Sequence, residues 1–220
     1  WVFFQISAAL QAVGLSCISH KSIFEPIARD RFSVDLDRNA AIDFQAKDGR
    51  IVRLRYEPTI LPRKAAQGID SIYRGHSESP WTPDIVLEIL VPGGGSRDFR
   101  LAYVAVVDAK YTRKKYVWNR LQKIEKYREI RSVDSDNQIA RQVWVAAPIE
   151  ASIQPRDEAI TWSSRGEVGA DPGDVILGVV GADPANADGT SLTLKAFVLG
   201  ILNHAEAYAP SNRSTEAQGG

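Results

Sequence analysis

The sequence predicts an α/β (α+β) fold in which a mixed β-sheet is flanked by helices. Two apolar runs at 85–90 and 101–107 enclose a glycine-rich stretch and predict an antiparallel hairpin. A helical segment follows, and then another apolar run at 142–147. A strand, a helix and a strand in that order require a crossover connection and a parallel pair. Antiparallel and parallel pairs are therefore expected in one sheet.

The length predicts one domain with an appendage. The chain has 220 residues, and its hydrophobic fraction of 44% is ordinary for a globular protein. We expect a single domain over 1–209, with a core at about 1–148, a C-terminal elaboration at about 149–209 and a flexible tail at 210–220. Because the chain begins with Trp1 and contains no Met, we expect a fragment or a processed form.

Apolar runs and cysteine content indicate a cytoplasmic protein without a membrane partner. No run approaches the roughly 20 apolar residues that a membrane-spanning helix needs. The one cysteine, Cys17, excludes an intrachain disulfide and is typical of a reducing cytosol. Its apolar neighbours predict a buried small residue rather than a nucleophile.

The elements before the central hairpin follow from apolar spacing and turn signals. Residues 1–13 are expected to form a buried helix that ends at Gly14. The alternating runs 41–46 and 51–56 flank an Asp-Gly pair and predict a hairpin. Residues 62–79 lack periodicity and are expected to form a loop.

The second half of the chain combines helical and irregular segments. Apolar residues recur at helical spacing over 117–131. Residues 152–174 are rich in turn formers and are expected to form a loop that covers one sheet edge. Residues 175–180 are either a short strand or a buried turn, and 192–207 are expected to form a packing helix.

Two carboxylates and a lysine are expected to meet at one end of the central hairpin. Asp84 lies at the start of its first strand, whereas Asp108 and Lys110 lie at the end of the second strand, on one face. Two carboxylates that lie close together repel each other unless a cation neutralises them, and their hard oxygens suit Mg²⁺. Each of the three residues alone is also typical of an ordinary polar strand end.

The sequences Pro83-Asp84 and Asp108-Ala109-Lys110 resemble the motif of the PD-(D/E)XK nuclease superfamily. Over about 1–148, the chain is similar to nuclease domains of bacterial restriction and defence proteins related to the McrBC nuclease subunit. The phrases that carry this likeness are 54–58, 82–85 and 108–111. The resemblance implies a restriction endonuclease-like fold and metal-dependent phosphodiester cleavage.

The resemblance also implies roles, a substrate and partners. Asp84 and Asp108 would ligate Mg²⁺ or Mn²⁺, and the carbonyl of Ala109 would complete the shell. Lys110 would hold the scissile phosphate or assist the attacking water. The substrate would be nucleic acid, with DNA expected, in restriction or anti-phage defence. Other domains or a motor subunit of a defence system are the implied protein partners.

Additional acids are candidates for the same site. Glu57 follows the second strand of the first hairpin and is either a solvated strand-end acid or a third acid near the metal. Glu88 shares the strand face of Asp84 but lies further from the active end. In the superfamily the first helix often carries a glutamate, yet no acid precedes Glu25 here. Either that glutamate was lost upstream of Trp1, or the site works without it.

The segment after the lysine is basic and is a candidate nucleic-acid contact. Residues 110–131 contain nine Lys or Arg against two Glu, whereas 132–220 contain five against twelve Asp or Glu. A basic segment beside the site suits a phosphate backbone, although a solvated helix face is the ordinary alternative. The candidate contacts are Arg113, Lys114, Lys115, Arg120, Lys123 and Tyr127. Lys123 and Tyr127 resemble the superfamily's Gln-x-x-x-Tyr pair with Lys in place of Gln, and Tyr127 is also typical of a core residue.

Two interpretations without catalysis stay open. The net charge of 0 and the missing first-helix glutamate favour a nuclease-like domain that binds nucleic acid or a partner protein. The start at Trp1 is also compatible with a plain interaction domain of a larger protein.

Overall fold

The structure is a computed structural model that describes residues 1–20, 24–26, 34–66, 72–73, 79–93, 99–112, 114–149, 153–155 and 175–208. The helices and strands in this part of the chain are α1 (Val2–Ala12), β1 (Ser16–His20), β2 (Phe24–Pro26), β3 (Val34–Leu36), β4 (Ala41–Gln45), β5 (Ile51–Tyr56), α2 (Arg63–Ala66), β6 (Ile72–Tyr73), β7 (Ile85–Pro92), β8 (Phe99–Ala109), α3 (Val117–Ile124), β9 (Arg131–Ser132), β10 (Ala140–Ala147), β11 (Ile153–Pro155), β12 (Ile176–Gly181) and α4 (Ala187–Glu206). Two 3₁₀ segments, Lys114–Tyr116 and Glu125–Glu129, flank α3. None of the described helices is long and apolar enough to cross a membrane.

The main sheet is mixed, as the sequence predicts. Its eight strands lie in the order β1-β4-β5-β7-β8-β10-β12-β11. All pairs from β1 to β8 are antiparallel, the pairs of β10 with β8 and β12 are parallel, and β11 returns antiparallel to β12. The segment that contains α3 is the crossover from β8 to β10. With helices on both faces, this sheet confirms the expected α/β fold.

Two hydrophobic cores lie on opposite faces of the sheet. On one face, α1 and α4 pack over strand residues that include Phe44, Leu54 and Trp144. On the other face, α3 and the 3₁₀ segment that follows it pack over Val104 and Val145. Because successive strand residues point to opposite faces, one strand contributes to both cores. The central strands are therefore apolar along most of their length, as expected for strands covered on both sides.

Two glycines with positive φ lie at predicted element ends. Gly14 (φ 95°) follows α1, and the N–H of Leu15 donates to the carbonyl of Leu10 at 3.2 Å, as in a Schellman cap. Gly49 (φ 84°) lies in the turn between β4 and β5, where its N–H donates to the carbonyl of Ala46 at 3.1 Å. Both turns need a backbone conformation that glycine adopts without strain. The predicted helix end and the predicted Asp-Gly hairpin are confirmed.

The helix after the central hairpin differs from the prediction. Its α-helical part ends at Ile124, and Glu125–Glu129 forms a 3₁₀ segment instead of continuing the α-helix. Leu121, Ile124, Tyr127 and Ile130 are nevertheless all buried. They recur every three residues, which is the period of a 3₁₀ helix. The apolar face was therefore predicted correctly, but not the helix type that presents it.

Two segments predicted as loops contain regular structure. Within 62–79 the described residues include α2 and β6, and β6 pairs with β9. Within 152–174, β11 is the outermost strand beside β12, so the edge is extended by a strand. The other residues of the second segment lie outside the described part of the chain. These strands have two or three residues, which is too short for a periodic signal.

Several predictions near the chain ends are corrected or completed. Residues 175–180 belong mostly to a strand, β12, and not to a buried turn, which was the alternative prediction. The last helix begins at Ala187 rather than 192, after Asn186, whose side chain accepts from the N–H of Gly189 at 3.1 Å. Cys17 is exposed on an edge strand and not buried as predicted. The predicted tail at 210–220 lies outside the described residues.

Gly178→Ala is expected to lower the free energy of unfolding by about 1–3 kcal/mol, because it overpacks the core. A β-carbon at Gly178 would overlap the indole ring of Trp144. That ring is fully buried, contacts Phe197 edge-on at 5.1 Å and donates a hydrogen bond to Gln142 at 2.8 Å, so it has little freedom to move. Urea unfolding measures the change. Trp144→Phe should be less damaging in the Gly178→Ala background than alone, and additive effects would contradict the steric explanation.

Candidate active site

The pairing of β7 with β8 brings the two predicted acids together. Ile85 pairs with Val107, and the next residues outward along the two chains are Asp84 and Asp108. The backbone at Asp84 is also held from β5, because the N–H of Glu57 donates to the carbonyl of Asp84 at 2.8 Å. The position of Asp84 therefore depends on backbone pairing to both neighbouring strands.

Lys110 contacts both carboxylates. Its Nζ lies 3.0 Å from Oδ2 of Asp84 and 3.1 Å from Oδ2 of Asp108. The N–H of Ala109 donates to the same oxygen of Asp84 at 2.7 Å. The N–H of Lys110 donates to the carbonyl of Ala146 at 2.8 Å, which continues the parallel pairing of β8 with β10. The three side chains thus meet at the hairpin end, and their functional roles stay predictions.

Burial and neighbouring charge set the protonation of the site. Asp108 is 3% exposed, and burial, followed by the negative charge of Asp84, raises its pKa to about 6. Burial lowers the pKa of Lys110, but the charges of Asp108 and Asp84 outweigh it, so that pKa is raised above its ordinary value. Lys110 is therefore positively charged at neutral pH and acts as a hydrogen-bond donor.

The oxygens at this point fit a divalent cation. Two carboxylates share one ammonium group, and the charge of Asp84 disfavours ionisation of Asp108, which a bound cation would relieve. In an extended chain the N–H and C=O of one residue point to the same side, so the carbonyl of Ala109 is directed toward β7 as its N–H is. Two carboxylates and a carbonyl suit Mg²⁺, which keeps several waters, or Mn²⁺. Among the described residues, no group of three or more His, Cys, Asp or Glu is arranged to hold a metal.

Glu57 lies beside the site but has another charged partner. Glu57 lines an open cavity of about 320 Å³ together with Asp84 and Lys110. Its carboxylate lies 3.3 Å from the guanidinium of Arg38, and its backbone has a φ of 41°, which is uncommon for a residue with a side chain. A role as a third acid therefore requires the carboxylate to leave Arg38.

Glu88 is a buried residue of β7. It is fully buried, and its carboxylate accepts a hydrogen bond from Nη1 of Arg55 at 2.9 Å. Arg55 lies on the neighbouring strand β5, where its side chain is 12% exposed. The pair therefore connects β5 to β7 within the same layer that holds Asp84.

Tyr127 lies near the carboxylates, as the resemblance implies. Burial, and then the negative charges of Asp108 and Asp84, raise the pKa of its hydroxyl. Its ring meets that of Trp81 edge-on at 5.9 Å, and Nζ of Lys126 lies 5.3 Å and 5.7 Å from the two ring centres. Trp81 was not predicted as a site neighbour, although it lies three residues before Asp84.

The predicted nucleic-acid contacts within the described residues lie on α3 or in the 3₁₀ segments on either side of it. The exposed ones are Lys115, Arg120 and Lys123. Nζ of Lys115 lies 4.9 Å from the ring centre of Tyr116. All of Arg113 and the side chain of Lys114 lie outside the described residues. The described cations are therefore solvent-accessible on the element that follows Lys110.

The cavity beside the acids also includes a residue that sequence reasoning missed. Trp1 and Phe3 line it together with Asp84 and Ile85 at the start of β7. The packing of α1 over the sheet brings them there, and no local sequence signal indicates it. The first helix therefore borders the site through aromatic residues.

In the presence of a chelator, the free energy of unfolding of the wild type is expected to fall as the pH rises from about 4 to about 6, relative to Asp108→Asn. In this window the folded protein keeps the Asp108 proton that the unfolded chain has lost, so a rising pH favours unfolding. A shift of about two pKa units corresponds to about 2–3 kcal/mol. Urea unfolding of both proteins across this range measures the difference. If the difference in free energy of unfolding between the two proteins did not change with pH, or changed in the opposite direction, the raised pKa of Asp108 would be contradicted.

Comparison with known proteins identifies a family. A model of the PD-(D/E)XK nuclease superfamily matches residues 1–142, which is more than half of the chain. That span contains α1, the central hairpin and both carboxylates that form ion pairs with Lys110. Neither a curated protein nor a solved structure gives a significant match. This chain therefore belongs to the PD-(D/E)XK nuclease superfamily.

Proposed function

We propose that this chain is a Mg²⁺-dependent endonuclease that hydrolyses phosphodiester bonds of nucleic acid, with DNA as the substrate and Mn²⁺ as an alternative cofactor. The observation that carries the proposal is the contact of Lys110 with both Asp84 and Asp108, at 3.0 and 3.1 Å. Membership of a nuclease superfamily supports the reaction class. The Mg²⁺ requirement follows from the oxygen ligands.

The proposed roles follow from the chemistry of each group. Asp84, Asp108 and the carbonyl of Ala109 would hold the ion. When bound, the ion would lower the pKa of a water molecule and offset negative charge on a phosphate oxygen. Lys110 carries a positive charge because of its carboxylate neighbours, so it would donate to the scissile phosphate or orient the attacking water. Because Lys110 stays protonated at neutral pH, it is disfavoured as a general base.

The substrate would be guided by cations outside the ion site. Lys115, Arg120 and Lys123 are exposed, and Arg113 and Lys114 belong to the same basic run. Each contact with a phosphate would add salt-dependent affinity without sequence preference. The ammonium of Lys126, 5.3 Å from the centre of the Tyr127 ring, is a further candidate because the Tyr127 hydroxyl feels the charges of both carboxylates.

The proposal includes a cellular setting and a domain organisation. Restriction or anti-phage defence in the cytoplasm is the proposed setting, with further domains or a motor subunit as partners, and its support is the likeness of residues 54–58, 82–85 and 108–111 to defence nucleases. One domain over 1–209 is supported by the sheet, since β12 extends the strands of the core.

Cleavage assays with and without metal test the proposal. Labelled single- and double-stranded DNA should be cut when Mg²⁺ or Mn²⁺ is present and stay intact in EDTA. Titration calorimetry of the chelator-treated protein should detect divalent ion binding. Failure to cut any substrate with either ion, while the protein is folded, would refute the enzymatic proposal.

A nuclease-like domain that binds without cutting is the second candidate. It is favoured by the ion pairs of Lys110 with both carboxylates, because a bound ion would have to compete with the ammonium for the same oxygens. This candidate predicts nucleic-acid or partner binding of equal strength in Mg²⁺ and in EDTA, with no cleavage. Metal-dependent cutting would exclude it.

A further inference from the structure

A second cavity also borders Lys110. It has a volume of about 240 Å³ and is lined by Lys110 together with Trp1, Tyr111, Pro148 and Pro184. Apart from the lysine, the lining consists of two aromatic residues, two prolines and small apolar residues, so the walls are largely apolar. The cavity is smaller than the roughly 300–1,000 Å³ of sites for drug-sized ligands, so it has room for a small apolar group such as one base. Because Lys110 borders both cavities, a ring bound here would lie next to the proposed position of the scissile phosphate.

Exposed aromatic residues follow Lys110 in sequence. Tyr111 is 95% exposed, Tyr116 is 46% exposed and Trp118 is 40% exposed. Single exposed apolar residues are common on protein surfaces. Three large aromatic rings within eight residues, directly after a proposed catalytic lysine, are better explained by a ligand with flat faces.

Cations alternate with these rings. Lys115 lies between Tyr111 and Tyr116 in sequence, with its Nζ 4.9 Å from the Tyr116 ring centre, and Arg120 follows Trp118. Exposed positive charge beside exposed aromatic rings matches the two parts of a nucleotide, a phosphate and a base. A protein partner would account for the rings, but the cations favour an anionic polymer.

Base faces are accessible for such stacking only in a single strand. In a duplex the bases stack on each other, and proteins contact their edges through the grooves. A side chain stacks on a base that is unpaired or turned out of the helix. We propose that Tyr111, Trp118 and the second cavity bind unpaired bases, so that this protein takes single-stranded DNA in preference to duplex. The inference rests on the proposed function for the identity of the polymer.

DNA binding measured in EDTA tests the single-strand preference, because no cleavage is expected without metal. Fluorescence anisotropy would compare labelled oligothymidylate with a dT·dA duplex of equal length at one salt concentration. The wild type should prefer the single strand. Tyr111→Ala and Trp118→Ala should each weaken single-strand binding by about 5- to 150-fold, the range expected for loss of one stacked base. Tyr111→Phe keeps the ring and should bind like the wild type.

Leu192→Ala is the matched control, because Leu192 is a 71% exposed apolar residue on α4, away from the basic segment. It should leave both affinities unchanged. Equal affinity of the wild type for the two DNA forms, or full single-strand affinity in Tyr111→Ala, would overturn the inference. Tyr111 is almost fully exposed, so its variant should fold normally.

This outcome is separable from that of the proposed function. Single-strand preference in EDTA without metal-dependent cleavage would support the stacking surface and refute the nuclease. Cleavage of duplex and single strand at equal rates, with equal affinities, would support the nuclease and refute the stacking surface.

Discussion

Asp108→Asn is expected to reduce metal-dependent cleavage by about 10³-fold or more, because it removes a charged ligand whose ion supplies several kcal/mol of transition-state stabilisation. The amide has the shape of the carboxylate, so packing around this buried position is conserved. Ionised Asp108 is disfavoured by burial and by Asp84, and the variant should therefore be at least as stable as the wild type at neutral pH. Single-turnover cleavage with saturating Mg²⁺ measures the loss.

A matched carboxylate and the lysine sharpen this test. Asp188→Asn removes an exposed acid in the first turn of α4 and should leave cleavage unchanged. Lys110→Met should abolish cleavage but allow divalent ions to bind as tightly as in the wild type or more tightly, because the competing ammonium is gone. Wild-type cleavage rates in Asp108→Asn would contradict the assignment of the ion site.

Arg55→Met is expected to lower the free energy of unfolding by about 3–5 kcal/mol, because it removes the charged partner of a buried carboxylate. Glu88 is fully buried, and Arg55 donates to it at 2.9 Å between neighbouring central strands. Methionine keeps much of the aliphatic volume, so the cost comes from the lost ion pair with the buried carboxylate rather than from a cavity. Urea unfolding at neutral pH measures the change.

The neighbouring arginine provides the control. Arg53 lies opposite Glu88 in the strand register, but it hydrogen-bonds Asp43 at 2.8 Å and its side chain is 38% exposed, so Arg53→Met should cost less than Arg55→Met. Combining Arg55→Met with Glu88→Met should restore most of the lost stability, since two packed apolar groups replace the buried pair. A loss in Arg55→Met no larger than the loss in Arg53→Met would contradict the prediction.

The convergence of Asp84, Asp108 and Lys110 was predictable because it depends only on local rules. Apolar runs marked the two strands, and antiparallel pairing joins the start of one strand to the end of its neighbour. The parallel strand β10 was predictable for a similar reason, since a helix between two strands requires a crossover. Backbone geometry alone determined these features.

Features that depend on tertiary packing were not predictable. Trp1 borders the acids because α1 packs over the sheet, and residues that are distant in sequence give no local sign of this. The pairing of Glu88 with Arg55 depends on the register between β5 and β7, which single-strand patterns leave open. Two or three residues are also too few for periodicity to reveal β6 or β11.

The 3₁₀ segment Glu125–Glu129 has a consequence for how this chain tolerates changes in length. Each residue of such a helix turns the next side chain by about 120°. Inserting or deleting one residue between Ile124 and Tyr127 would rotate the tyrosine away from Asp84 and Asp108 and turn a polar neighbour into the core. Homologues of this protein should therefore keep the number of residues between Ile124 and Tyr127, while the exposed side chains of the segment vary.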